Sequence, residues 1–499
     1  MVLGIDLGTS SIKLSLLDTK KNRVFGTISY PKIEMEIKSP NKGWAEQNPE
    51  IWWKNFEEAY RILIKKEVVN PKYIQAIGIS YQMHGLVIVD KEQRVLRPSI
   101  IWCDSRAVDI GNEAYEVLGK NFCLSHLLNS PGNFTASKLA WIKRNEPETF
   151  EKIHKIMLPG DYFVMKLTGE ITTTKTGLSE GIFWDFKTNK ISNDILATYD
   201  IPTSMLPDVV PSIGSNLNLS KQIASKLGMN QDVNISYRAG DQPNHAFSLN
   251  VLKKGEIAAT AGTSGVIYAV TDQKLFDPKS RINTFLHVNN TEINASNGIL
   301  VCVNGTGILY SWLKKLLNNK SNNIDYCHMN NMVESVTPGS EKLICFPFGN
   351  GAERIFENKL IGSHYLNLDF NRHNSNHILR ASVEGIVYAL NLGFDILTEL
   401  NVSGNTIRAG KANLFLSKVF REIFVNVTET RLEVYKTDGA IGAARGAALG
   451  SGLFSSAEEA FRDLELSDLL EPKIELTSMY KELYLEWKDT MIKHSFIGN

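Results

Sequence analysis

Val2-Leu3-Gly4-Ile5-Asp6-Leu7-Gly8-Thr9-Ser10-Ser11-Ile12-Lys13-Leu14-Ser15-Leu16-Leu17 reads as an apolar strand, a tight polar turn and a second strand. Beyond the turn, Ile12, Leu14 and Leu16 alternate with Lys13 and Ser15, the two-residue period of a half-buried strand. The grammar returns far downstream. Glu256-Ile257-Ala258-Ala259-Thr260-Ala261 leads into Gly262-Thr263-Ser264-Gly265, and Val266-Ile267-Tyr268-Ala269-Val270 follows. Both hairpins turn on Gly-Thr-Ser, and each opens one half of the chain. Two lobes built from related cores are therefore expected, with their boundary near residues 241–252.

Between the hairpins, helical patterns at Pro49–Glu67 and 136–144 mix with strand-like runs at 76–80 and 86–89. The second half repeats the mixture, with helical patterns at 378–400 and 412–425. Strands alternating with helices predict an α/β architecture. A length of 499 residues fits two domains better than one core. The Asn/Lys-rich stretch 317–325 reads as an exposed loop.

Lys+Arg and Asp+Glu both number 54, so the formal charge is zero. No basic run marks a nucleic-acid binder, which leaves a small molecule as the expected partner. The five cysteines are odd in number and lack C-x-x-C spacing, as reduced cytosolic thiols do. No signal peptide is expected from the opening residues, and no apolar run is long enough to span a bilayer.

Asp6-Leu7-Gly8-Thr9-Ser10 offers what a phosphate needs. Glycine lets the backbone approach, and consecutive N–H groups make an anion nest. Asp6 could hold the magnesium that travels with ATP, and Lys13 could add charge. A plain hairpin with an acid at a strand end fits the same residues. The second Gly-Thr-Ser turn favours two facing phosphate clamps.

Arg238-Ala239-Gly240-Asp241-Gln242-Pro243-Asn244 places an acid just before a helix-like segment. A carboxylate in a cleft can take the proton of a sugar hydroxyl. By spacing alone, an N-cap is the simpler role for Asp241. Tyr81-Gln82-Met83-His84-Gly85 and Trp102-Cys103-Asp104-Ser105-Arg106 each follow an apolar run. They gather the amide, imidazole, carboxylate and guanidinium groups that a buried polyol must find as partners. A lone His84 would more often be a satisfied structural histidine. Ala409-Gly410-Lys411-Ala412-Asn413 is a glycine turn leading into an apolar helix. The small residues of Thr437-Asp438-Gly439-Ala440-Ile441-Gly442-Ala443-Ala444 fit close helix packing, ordinary packing being the simpler account. There is no P-loop, no G-x-G-x-x-G after the first strand, no H-E-x-x-H and no G-x-S-x-G.

In this order, and over nearly the whole chain, the segments resemble the FGGY carbohydrate kinases of the actin/hexokinase/Hsp70 superfamily. Gly4 to Ser10 looks like the opening phosphate loop, and Gly43-Trp44-Ala45-Glu46-Gln47-Asn48-Pro49 like the segment that follows it. Gln82-Met83-His84-Gly85 resembles a sugar-binding turn, and Leu158-Pro159-Gly160-Asp161-Tyr162 a further family segment. Gly240-Asp241 matches the catalytic base, and Gly262-Thr263-Ser264-Gly265 the second phosphate loop. Ala409-Gly410-Lys411-Ala412 sits where the family binds the adenosine end of ATP. Four places depart from the pattern: Tyr81 before the sugar turn, Gln242-Pro243 after the acid, the segment Phe346 to Arg354, and Ala409.

The resemblance implies two actin-like (ribonuclease H-like) lobes of mixed β-sheet flanked by helices, with a central cleft. Residues 1–245 would bind sugar and residues 246–499 would bind ATP. It implies transfer from ATP to the terminal hydroxyl of a ketopentose, D-xylulose first. Another ketose, a polyol, or a non-catalytic sensor of the same fold are the alternatives. Asp241 would be the general base, and Asp6 would place Mg²⁺ through water. Sugar contacts would fall to Gln82, Met83, His84, Trp102, Asp104, Asp241 and Gln242. Nucleotide contacts would fall to Gly8, Thr9, Ser10, Lys13, Gly262, Thr263, Ser264, Gly410 and Asn413. A cytoplasmic homodimer is the family's suggestion.

Overall fold

The computed structural model describes residues 1–318 and 323–494. The predicted loop at 317–325 lies partly outside them; Leu317 itself closes a helix, Gly307–Leu317.

Two mixed sheets organise the chain. The first has six strands in the order Ile213–Asn218, Asn234–Gly240, Ala76–Tyr81, Val2–Leu7, Ile12–Asp18, Arg23–Tyr30. The second has seven, in the order Asn283–Leu286, Asn297–Val303, Gly265–Thr271, Ile257–Ala261, Thr406–Gly410, Arg431–Tyr435, Leu466–Leu470. Each Gly-Thr-Ser turn joins an antiparallel pair, as the strand-turn-strand pattern predicts. The first strand of each pair also runs parallel to a neighbour on its other side. Tyr81 is in register with both Leu7 and Gly240, so three parallel strands end level.

The Pro49–Glu67 helix has the bounds its pattern predicts, because Asn48 caps it and Pro49 suits the first turn. It packs against the first sheet. The sheet is also in contact with the Gly439–Gly450 helix from far along the chain. Its small residues matter there. A Cβ on Gly4 would stand 1.9 Å from the Ala440 carbonyl oxygen, and one on Gly78 1.9 Å from that of Ala443. The second sheet rests instead on Ser375–Glu399, a 25-residue helix whose buried face is large and apolar.

One predicted helix is two pieces. Residues 412–425 split into a short 3-10 turn, Asn413–Leu416, and a helix, Lys418–Thr428. Ser417 causes the break: its backbone is extended, and its hydroxyl accepts from the Phe420 N–H at 3.3 Å. A local cap outcompetes a continuous apolar stripe. Among the described residues no helix is long and apolar enough to cross a membrane, and all five cysteines are free.

Candidate active site

The level ends of the three parallel strands put three segments side by side: Gly8-Thr9-Ser10, Gln82-Met83-His84 and Asp241-Gln242. Carboxyl ends of parallel strands are where α/β sheets bind ligands, since the chain leaves there in exposed turns. The second sheet does the same with Gly262-Thr263-Ser264 and Lys411 onward, after Ile257–Ala261 and Thr406–Gly410.

Asp241 is the first residue of the Asp241–Ser248 helix, and Gly240 holds the N-cap position. The N-cap role suggested by spacing is therefore not the one it takes. Its half-buried carboxyl is pushed up to about 7, by burial first and then by the charge of Asp6. Asp6 is in turn raised by burial, opposed by Lys13 and reinforced by Asp438. Asp438 caps the small-residue helix through the Ile441 N–H at 2.9 Å. A Cβ on Gly439 would stand 2.4 Å from Asp6 Oδ2, so glycine is required where that helix starts. Asp6, Asp241 and Asp438 thus share one neighbourhood in which exposed Lys13 is the nearby cation.

Among the described residues no three His, Cys, Asp or Glu side chains converge as a metal cage. Two under-compensated carboxylates beside a phosphate loop fit Mg²⁺ better. That ion keeps several waters and takes one or two carboxylates plus substrate phosphates.

Around the first turn, three side chains close a ring and a fourth, Trp102, donates into it. Trp102 Nε1 donates to Thr9 Oγ1 at 2.9 Å, and that hydroxyl donates to Gln82 Oε1 at 3.3 Å. Gln82 Nε2 donates to Gln47 Oε1 at 3.0 Å, and Gln47 Nε2 returns to the Thr9 carbonyl at 2.8 Å. Gln47 was not among the expected site residues, although it lies in a segment that the resemblance picked out. Met83 is buried against Gly240, where a Cβ would stand 2.6 Å from its Cγ.

His84 adopts positive φ at the turn, and its Nδ1 lies 2.9 Å from the Glu180 carbonyl oxygen. Burial, helped by the Lys138 charge, pushes its pKa down to about 3. A neutral ring with the Nδ1 proton on that carbonyl leaves Nε2 as an acceptor for a hydroxyl. Lys138, fully buried, donates to the carbonyls of His84 at 2.8 Å and Ile101 at 3.0 Å. It ties the His84 turn to the strand end before Trp102.

Asp104 stands apart from the cleft. It is fully buried, accepts from the Ala45 N–H at 2.5 Å, and is ion-paired with Arg106 at 2.7 Å. Arg106 lies over the Trp44 ring, 3.8 Å from its centroid. With the Arg106 N–H groups on its other oxygen as well, both carboxylate oxygens have protein donors, and Asp104 anchors the Trp102 segment.

The second turn is held through its backbone. The Gly262 carbonyl accepts from the Gly307 N–H at 2.9 Å and the Thr263 carbonyl from Ile308 at 3.1 Å. Thr306 Oγ1 bridges the same two carbonyls at 3.2 Å each. Asn413, at positive φ, packs its amide against Gly262, and Gly410 lies beside His245 and the Thr437 carbonyl. Buried Glu353, from the segment that departs from the family pattern, accepts from the N–H groups of Asn304 and Gly305. It fixes the loop that carries Thr306.

Residues 1–248 match the model of the FGGY family of carbohydrate kinases, N-terminal domain. The chain is 30% identical to xylulose kinase of Bacillus subtilis, over 98% of its own length and 96% of that protein. Its fold is similar to the ligand-bound xylulose kinase from Lactobacillus acidophilus, with a TM-score of 0.88 at 22% identity, covering 99% of this chain and 98% of that one. A gluconate kinase from the same organism matches with a TM-score of 0.86 at 22% identity, covering 98% of this chain and 97% of that one. Those two matches establish the two-lobed fold alone.

Proposed function

We propose that this chain, which belongs to the FGGY family of carbohydrate kinases and is an ATP-dependent sugar kinase, acts on a ketopentose, D-xylulose first. The observation that carries the proposal is the level ending of three parallel strands, which sets Asp241 beside both Asp6 and the Gln82–His84 turn. The sugar lies against the first sheet, in contact with Gln82, Met83, His84, Trp102 and Gln242. ATP lies against the second sheet, with its phosphates on Thr9, Ser10, Thr263 and Ser264 and its adenosine end near Gly410 and Asn413. The sugar-side part runs to about residue 245, and the nucleotide-side part follows it.

In the reaction, the terminal sugar hydroxyl oxygen attacks the γ-phosphorus, and the bond to the β–γ bridging oxygen breaks. Asp241 takes the hydroxyl proton. His84 Nε2 accepts from a second sugar hydroxyl, and the ring of Thr9, Gln82 and Gln47 keeps the wall rigid. Asp6 would hold Mg²⁺, which when bound would supply positive charge to the phosphate oxygens. The remaining work is positioning, which suits a site made of strand ends. Free cysteines fit an enzyme of the cytoplasm.

Asp241→Asn tests the base. Turnover is expected to fall about 10³-fold with ATP affinity unchanged, within the usual worth of a general base. More than a few per cent of residual kcat overturns the assignment. Coupled ADP release across xylulose, ribulose, gluconate and glycerol tests the acceptor. A higher kcat/KM for any of the others replaces xylulose without touching the chemistry.

A further inference from the structure

Glu180 has no part in the mechanism above, yet it touches both ends of it. It closes the short Lys175–Glu180 helix and is 1% exposed. Its Oε1 accepts from the His84 N–H at 3.3 Å, while its own carbonyl meets His84 Nδ1 at 2.9 Å. A Cβ on Gly240 would stand 2.5 Å from its Oε2. One carboxyl therefore spans from the sugar turn to the residue just before the base.

We propose that Glu180 is a positioning residue for the transfer: its buried carboxyl joins the His84 turn to the strand end carrying Asp241. The assignment rests on the sugar-kinase reading of this cleft. Buried and in contact with His84 and Gly240, it acts through those neighbours.

Burial, first of all, raises its pKa well above the usual carboxylate value, against the His84 N–H, which lowers it. Asp241 at the start of its helix and Asp161 of Pro159–Thr168 both add negative charge, on top of burial. Arg238 is spent on Asp161 at 2.9 Å and on the Thr172 carbonyl at 2.9 Å. Tyr81 and Tyr268, from the two sheets, are the remaining titratable neighbours, and His84 is neutral. The Tyr81 hydroxyl is buried beside the carboxyl and gives its free oxygen a polar neighbour. The sign follows. Below its raised pKa Glu180 is neutral and the clamp holds; as pH rises through that pKa a second negative charge appears beside Asp241. The sugar kcat/KM then declines on the alkaline side.

Glu180→Gln keeps a neutral side chain of the same shape. It is expected to leave kcat and the sugar KM within about threefold at pH 7 and to abolish the alkaline decline. Glu180→Ala is expected to raise the sugar KM about tenfold or more with the ATP KM unmoved. ADP binding by calorimetry checks that each variant is folded. If the alanine variant does not fold, the pH profile of Glu180→Gln decides. An alkaline limb that survives in Glu180→Gln, or equal damage from both substitutions, overturns the proposal. Asp241→Asn separates the two claims. Normal turnover there would end the base assignment, while unequal Gln and Ala effects on the sugar KM would still assign Glu180 its clamp.

Discussion

The two Gly-Thr-Ser turns share a sequence and a strand-turn-strand frame, but they are wired for different neighbours. Two residues before its glycine the first has Asp6, whereas the second has Thr260. The first turn spends its threonine hydroxyl on Trp102 and Gln82. The second spends its carbonyls on Gly307, Ile308 and Thr306. The same motif thus makes a charged, sugar-linked half-clamp in one place and a backbone-anchored half-clamp in the other. A turn's surroundings, and not its three residues, decide what it can hold.

The largest test of that asymmetry makes the first hairpin like the second. Asp6→Thr is expected to cut kcat by about 100-fold or more, because removing a metal-placing charge costs several kcal/mol at the transition state. Sugar affinity should change little. Magnesium titration of the variant checks it: an unchanged magnesium dependence would mean that Asp6 has no part in holding the ion.

A middle-sized test compares the two threonines directly. Thr263→Val is expected to raise the ATP KM about tenfold, the scale of one hydrogen bond to a charged group. Thr9→Val is expected to raise the sugar KM about fivefold, the scale of neutral hydrogen bonds, because it opens the ring through Trp102 and Gln82. If Thr9→Val moved only the ATP KM, the two turns would be equivalent after all.

Much of this was legible before any coordinates. Pro49–Glu67 carries its own start signals in Asn48 and Pro49, and both hairpins carry a strand-turn-strand pattern around Gly-Thr-Ser that needs no partner to be read. What stayed hidden depends on contacts far apart in sequence. Lys138 lies in an otherwise ordinary helix, Thr135–Asn145, and only the fold shows it bracing two strand ends. Glu180 ends a helix of six residues, too short to show a period. Asp104 has the residue type of a sugar ligand, but Arg106 two positions later closes onto it. The small residues of Gly439–Gly450 announced close packing without naming the partner. That partner is the pair Gly4 and Gly78 on the other half's sheet, which no local pattern encodes.

The smallest effect separates the sugar turn from the helix start by their titrations. His84 is held down at about 3, so it is neutral throughout the range from about pH 5 to 8. Asp241, pushed up to about 7, must lose its proton to act as a base. The sugar kcat/KM should therefore rise about tenfold per pH unit below that value and level off above it, ahead of the alkaline decline ascribed to Glu180. The limb belongs to Asp241 alone. His84→Asn should lower the whole curve while moving its acid midpoint by less than about 0.3 of a pH unit, since the ring carries no charge to lose. A midpoint that shifts toward the carboxylate range in His84→Asn would make the imidazole the titrating group and transfer the base role to the sugar turn.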